Sequence, residues 1–503
     1  MAQTRLFGIP LSLSSGLVES IRDANPWWRG ERVANLPLTR RWAYQPIYSR
    51  LLGGLSPSVI LRGPRQVGKT TLLLQIIHSL LDEDGVDPRR IFRVQFDDLG
   101  ELSKLKGDQI LELSRWYADT ILKKTLNQAA SEKKPAYIFL DEVQNLSNWA
   151  PQLKYLLDIT STRVLVTGSS ALRLDLGMDS LAGRVHTLDM STLFLREIGA
   201  LRTFGNIEPF LKWNGLASLK EKKFWLELRE FGLQHKSLRD QAFAAFSEYG
   251  AYPVAQVNAH RPWEEIADQL NETVIRRAIQ HDLRMGVKGR HRDEHLLQEV
   301  FRFACRYIGQ TPSSDFYIHE MKNVMNANIG WQRILTYLKF LHGTLLIQLI
   351  DSLELRLKKR KAQPKACLCD HMLRAAWLQE KVPLTQEGLR EFPHLSDLAG
   401  HIAESSVGYF LKSITGLDVA YFPERGAEPE VDFIITIGEQ RIPVEVKYRQ
   451  HIDYKDTYGL RAFIDKAHYN APFGLLITLA EDASVSDDPR IISMPLSSFL
   501  MMR

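Results

Sequence analysis

The stretch Ser58-Val-Ile-Leu-Arg-Gly63-Pro64-Arg65-Gln66-Val67-Gly68-Lys69-Thr70-Thr71 constrains the fold of this chain more than any other segment. Its spacing is G-x-x-x-x-G-K-[ST], and its flanks carry the periodicities that such a loop needs. The apolar run at 59–61 predicts a short buried strand before the loop, and the pattern at 71–77 predicts a helix after it. Strand, glycine-rich turn and helix together aim backbone N–H groups at the positive end of the helix, where phosphate is favoured. Gly63, Pro64, Arg65, Gln66, Val67, Gly68, Lys69, Thr70 and Thr71 are therefore the candidate nucleotide-binding residues. Lys69 is expected to reach the β and γ phosphates of ATP, and the Thr70 hydroxyl to hold Mg²⁺. A plain strand-to-helix turn would need neither Lys nor Thr at these positions.

A second run, Tyr137-Ile-Phe-Leu140, predicts another buried strand and ends in Asp141-Glu142. A carboxylate at the carboxyl end of a parallel strand, beside the phosphate loop, suits the Mg²⁺ shell, and Asp141 is the candidate. Glu142, one residue on, is the candidate general base for the attacking water. The same dipeptide also occurs as a plain solvated strand end, but the loop upstream favours the chemical role. A third strand at 163–166 runs into Thr167-Gly168-Ser169-Ser170. Polar groups there can touch the γ-phosphate or the water, and an N-cap by Ser169 or Ser170 is compatible with that. Next comes Ser180-Leu181-Ala182-Gly183-Arg184-Val185, whose arginine suits stabilisation of a neighbour's transition state.

In this order the motifs resemble the AAA_14-like group of AAA+ ATPases of bacteria and archaea that carry a DUF4143-type C-terminal region. The resemblance implies that Arg184 is an arginine finger acting in trans and that Ser169 or Thr167 is the sensor-1 position. Asn25-Pro26-Trp27-Trp28 and Tyr249-Gly250-Ala251-Tyr252-Pro253 are also similar to segments of that group. Ala251 departs from the group's Gly-Gly-Tyr-Pro form, so no role is assigned there.

A chain of 503 residues exceeds what one core supports. A net charge of +5 requires any nucleic-acid surface to be a local patch rather than a global field. Three cysteines exclude a disulfide scaffold, and the Cys367-Leu-Cys369 spacing excludes a zinc pair. The absence of a long uncharged apolar run gives the expectation of a cytoplasmic protein with no membrane partner. Five blocks are expected: a lead-in at 1–50, whose Trp27, Trp28 and Trp42 cover the nucleotide domain; an ATPase core at 51–195; a helical lid at 196–295; a winged helix-turn-helix at 296–385; and a last domain at 386–503. The third boundary follows from two short helices at 319–325 and 332–341, a strand at 345–350 and the basic run Arg356-Leu-Lys-Lys-Arg-Lys361.

Near the C-terminus, Glu430-Val-Asp432-Phe-Ile-Ile-Thr-Ile-Gly438-Glu-Gln-Arg-Ile-Pro-Val-Glu445-Val-Lys447 alternates as a hairpin. A loop at 438–441 would set Ile437 opposite Ile442 and Asp432 opposite Lys447. Glu445 and Lys447 then share one face. Two carboxylates can bind Mg²⁺ and a lysine can activate water, with Glu404, on an amphipathic helix upstream, as a third carboxylate. The spread Glu404, Asp432, Glu445-x-Lys447 is similar to the PD-(D/E)XK nuclease-like fold. Val431 stands where that motif has Pro, and a polar hairpin face with a cross-strand ion pair is the simpler alternative.

The expected fold is thus α/β: a P-loop AAA+ parallel sheet, a helical lid, a winged helix-turn-helix and a C-terminal nuclease-like α/β domain. The expected function is an ATP-hydrolysing homo-oligomer, a ring with ATP at subunit interfaces, that acts on DNA with or without cleavage. The alternative is a nucleotide-dependent switch whose last domain binds protein.

Overall fold

The computed structural model describes residues 13–53, 58–97, 102, 107–146, 148–169, 179–212, 215–284, 293–354, 362–426, 428–481 and 488–503. Ser170 and the basic run at 356–361 lie outside them. Two compact units result, one of residues 1–63 and 68–190, the other of 64–67 and 191–503.

The first unit is built on five short strands: β1 (Ser58–Arg62), β2 (Ile91–Gln95), β3 (Tyr137–Asp141), β4 (Arg163–Gly168) and β5 (Val185–Asp189). They pair in the order β2-β3-β4-β1-β5, every pair parallel. Inner parallel strands are buried on both faces, which is why β1, β3 and β4 read as apolar runs, whereas the edge strand β5 is mostly half-buried and does not. The order sets the carboxyl end of β1 beside that of β4, with β3 next along. The lead-in does cover this sheet. Trp27 is buried and Trp28 partly so, and both indole N–H groups donate to the Ile91 carbonyl, at 3.1 and 2.9 Å. The Trp28 ring stacks on Phe92 and Tyr117, whereas Trp42 is only half-buried.

In the second unit β6 (Ile347–Ile350) and β7 (Lys365–Leu368) form an antiparallel pair. The strands β8 (Asp418–Phe422), β9 (Val431–Ile437), β10 (Gln440–Lys447), β11 (Gly474–Thr478) and β12 (Ile491–Pro495) form a mixed sheet in the order β12-β11-β10-β9-β8. Helices appear over most of the lid region, including Lys222–Gln234 and Lys236–Tyr249. Their apolar stripe packs on the last helix of the chain: the Trp225 ring stacks 6.2 Å from Phe499, and Arg239 donates to Ser498 Oγ at 2.9 Å. Helices Glu294–Arg306, Ser314–Met325 and Trp331–Gly343 precede β6 and β7, and Asn326 turns the chain in the left-handed region. This pair is joined to the mixed sheet, since the Leu353 N–H donates to the Tyr421 carbonyl at 2.7 Å. The stretch from 191 to the end belongs to one compact unit.

The hairpin differs from expectation in register. Its turn is Gly438-Glu439, with Gly438 at φ +63°, and Gln440 rather than Ile442 lies opposite Ile437. The slip is two residues, so Glu445 and Lys447 still share the face opposite Val444 and Val446, but burial does not alternate, since every residue from Ile442 to Val446 is buried. Extending the register brings Asp432 level with Glu445, not Lys447. Among the described residues, no helix is long and apolar enough to cross a membrane.

Candidate active site

The phosphate loop ends at Gly68, whose φ of +95° lies in the left-handed region; no neighbouring atom would meet a Cβ there, so the backbone angle alone requires glycine. Helix Lys69–Asp82 starts directly behind it. Lys69 is buried, and its Nζ donates to the Gly63 carbonyl at 3.0 Å and lies 3.7 Å from Glu142 Oε1. The Thr70 hydroxyl is 3.1 Å from both oxygens of Asp141. A hydroxyl and a carboxylate converging beside the first helical turn form a hard-oxygen pair that suits Mg²⁺.

Asp141 ends β3 fully buried, and two further donors hold it: Arg93 Nη2 at 2.8 Å and the Thr167 hydroxyl at 2.5 Å. Thr167 also accepts the Glu142 N–H at 3.0 Å. One hydroxyl on β4 therefore ties together Asp141 and Glu142. Glu142 sits at φ +55°, uncommon outside glycine and Asn/Asp, and this turns its side chain away from the strand direction. Its Oε2 accepts from Gln144 Nε2 at 2.5 Å and from Ser169 Oγ at 2.8 Å. Thus Thr167 touches Asp141 and Ser169 touches Glu142, both at the end of β4.

Arg184 lies elsewhere, in the Gly183 turn before β5. Its Nε donates to Asp158 Oδ1 at 2.5 Å and its Nη2 to Oδ2 at 3.2 Å, and this pairing lowers the Asp158 pKa. Sequence reasoning overlooked Arg93. A lone arginine in the apolar strand Ile-Phe-Arg-Val-Gln was the available signal, since such a residue must find a buried partner.

A second cluster forms in the C-terminal unit. The N–H of Val446 donates to Asp432 Oδ2 at 2.8 Å, and Lys447 Nζ donates to Glu445 Oε1 at 2.5 Å. Glu404 reaches the same place from helix Ser396–Lys412, where its Oε1 accepts from Lys365 Nζ on β7. Lys365 was not anticipated. Burial, and then the charge of Asp432, push Glu404 and Glu445 each up to about 8. Burial disfavours the Lys365 ammonium, but Glu404, Asp432 and Glu430 outweigh this and raise its pKa. The metal expected on Glu404, Asp432 and Glu445 does not suit this set, because an ammonium already lies among the carboxylates. Among the described residues, no group of three or more His, Cys, Asp or Glu side chains could hold a metal ion. Cys367 and Cys369 are buried free thiols.

The Gly250-Ala251-Tyr252-Pro253 segment proves to be structural. Asp370 Oδ2 accepts the Ala251 N–H at 2.6 Å, and Oδ1 accepts that of Met372 at 2.8 Å. Gly250 adopts φ +72°, ψ −156°, and a Cβ there would lie 2.3 Å from Asp370 Oδ1.

Comparison with known proteins follows the same division. Residues 56–199 match the family model described as an AAA domain. Residues 399–499 match a domain of unknown function, DUF4143. An uncharacterized protein of Methanocaldococcus jannaschii is 34% identical over 116 residues, 23% of this chain and 22% of that protein. An uncharacterized protein of Haemophilus influenzae is 25% identical over 257 residues, 50% of this chain and 52% of that one. The chain thus spans about half, or less, of the length of these curated relatives. A Walker-type ATPase of Pyrococcus abyssi superposes with a TM-score of 0.40 at 14% identity, covering 68% of this chain and 98% of that one. The AAA match falls on the residues that carry the phosphate loop, the Asp141-Glu142 pair and the Thr167–Ser169 strand end, and this part of the chain is an AAA-type P-loop ATPase domain.

Proposed function

We propose that the protein hydrolyses ATP and acts on DNA as a homo-oligomer. The observation that most supports hydrolysis is the convergence of Lys69, Thr70, Asp141 and Glu142, with Lys69 Nζ 3.7 Å from Glu142 and the Thr70 hydroxyl 3.1 Å from Asp141. Lys69 and the loop from Gly63 to Thr71 bind the phosphates. Thr70 and Asp141 would hold Mg²⁺, which would neutralise charge on the triphosphate when bound. Glu142 takes the proton of the attacking water. Ser169 and Gln144 orient Glu142, and Thr167 fixes Asp141 and Glu142 relative to each other. Arg184 serves the site of an adjacent subunit in a ring with ATP at the interfaces. To do so it must release Asp158, so subunit contact and hydrolysis are coupled.

The order of helices 294–343, followed by the β6–β7 pair, supports a winged-helix reading, with the basic run at 356–361 as a phosphate contact. The C-terminal domain engages DNA without cutting it. A second reading, a nucleotide-dependent switch whose last domain binds protein, draws support from the same ammonium-filled cluster. ATP turnover and DNA affinity measured across a salt series separate the two. DNA action predicts that log K falls linearly with log salt. Absence of salt-dependent binding to single-stranded, duplex and branched DNA alike would favour the switch.

A further inference from the structure

Four charged side chains of the C-terminal unit meet from elements remote in sequence: Lys365 on β7, Glu404 on helix Ser396–Lys412, Asp432 on β9 and Glu445 on β10. Lys365 is 1% exposed. Its Nζ donates to Glu404 Oε1 and lies 3.5 Å from Glu430 Oε1 and 3.9 Å from Asp432 Oδ1. The rings of Phe433 and Tyr421, with centroids 5.2 and 5.4 Å away, complete a lining that favours a cation. Glu445 has a cation of its own in Lys447.

Burying a lysine head is costly unless carboxylates surround it, and here they do. A divalent ion bridging Glu404 and Asp432 would need oxygen distances of roughly 2.0–2.6 Å, so close to the Nζ that donates to Glu404 Oε1 that ion and ammonium would compete for the same oxygens. It would also face two ammonium groups at close range, a repulsion amplified where water is excluded. The helix that carries Glu404 is packed tightly against the strands that carry Lys365 and Asp432. Helix Ser396–Lys412 crosses β7 and β9 so closely at Gly408 that a Cβ there would lie 2.6 Å from Cys367 Sγ and 2.8 Å from the Phe433 ring.

We infer that the Lys365 ammonium is the resident cation of this carboxylate cluster, standing where a divalent ion would otherwise sit, and that it ties β7 to the mixed sheet without metal. The cluster is then a structural lock, and the domain carries no metal-activated water. This holds whether or not the protein acts on DNA.

The test is Mn²⁺ binding to the nucleotide-free full chain, followed by electron paramagnetic resonance. The wild-type protein should show no Mn²⁺ site that Asp432→Asn or Glu445→Gln removes, up to millimolar metal. Lys365→Met, which keeps the stem and deletes the charge, should gain one Mn²⁺ at least tenfold tighter than any wild-type binding, and adding Asp432→Asn should abolish it. A wild-type Mn²⁺ site that Asp432→Asn removes would overturn the inference. A folded Lys365→Met protein that gains no Mn²⁺ would overturn it as well. If Lys365→Met folds only when Mn²⁺ is present, metal has replaced the ammonium and the inference stands. If that variant does not fold under either condition, the wild-type titration decides.

Discussion

Replacing Thr167 by valine tests how the ATPase site is held together. Valine has nearly the same shape, so the fully buried site loses a hydroxyl and little packing. That hydroxyl donates to Asp141 Oδ1 at 2.5 Å and accepts the Glu142 N–H at 3.0 Å. A hydrogen bond to a charged group contributes about 1.5–3 kcal/mol and a neutral one about 0.5–1.5 kcal/mol, so the expected loss is about 2–4.5 kcal/mol. Urea unfolding without nucleotide measures it, through the buried Trp27 and partly buried Trp28 that pack on this sheet. Glu142 also loses the contact that supports its left-handed backbone. Single-turnover hydrolysis should therefore fall by at least about tenfold, more than one would expect from the change in ATP affinity. Thr167→Ser keeps the hydroxyl and should recover most of both. A Thr167→Val protein within about 0.5 kcal/mol of wild type, with unchanged turnover, would refute the bridging role, since that is the range of an ordinary surface substitution.

Arg184→Ala should bind ATP almost normally and hydrolyse it poorly, and mixing it with Glu142→Gln should restore some turnover; confirmed mixed oligomers without rescue would exclude a trans role. Gly250→Ala should destabilise the C-terminal unit by at least about 1–3 kcal/mol, because φ +72°, ψ −156° is open essentially to glycine alone; thermal melting reads this. Stability should also depend on pH through Glu404 and Glu445. Their folded values, near 8, lie above the ordinary 4.5, so their contribution is complete below about pH 4.5 and is lost as pH rises through about 8. Glu445→Gln should flatten that part of the urea-midpoint profile, and an unchanged slope would count against the upward shift of Glu445.

The convergence of Lys69, Thr70, Asp141 and Glu142 was largely legible because motif spacing puts them at strand ends. Lys69, Thr70, Asp141 and Glu142 each sit at a fixed offset from a strand end, and parallel strands are recognisable as short apolar runs. The residues that steady them were harder to find. Arg93 is a single charge in an apolar strand, and its partner on β3 follows from strand order, which periodicity does not reveal. Lys365 stayed hidden for the same reason, because the carboxylates around it come from a later helix and from the start of β9. In the hairpin, alternation told which residues share a face, since that survives a slip of two, but not that β10 is buried on both faces. The register itself was set by the tight Gly438-Glu439 turn, where a longer loop had been expected. The lid helices were visible from their apolar spacing, but nothing local announces that Trp225 packs on Phe499.

The central claim, that Lys69 binds phosphate while Glu142 acts on water, is tested most directly by ATP affinity and single-turnover hydrolysis measured side by side in Lys69→Ala and Glu142→Gln. Lys69→Ala should lose nucleotide binding, because it removes a charge that meets the phosphates in the ground state. Glu142→Gln should bind ATP within a few-fold of wild type and fall at least about 100-fold in turnover, the lower range for loss of a general base. Equal loss of ATP affinity in the two proteins, or full turnover by Glu142→Gln, would contradict the account.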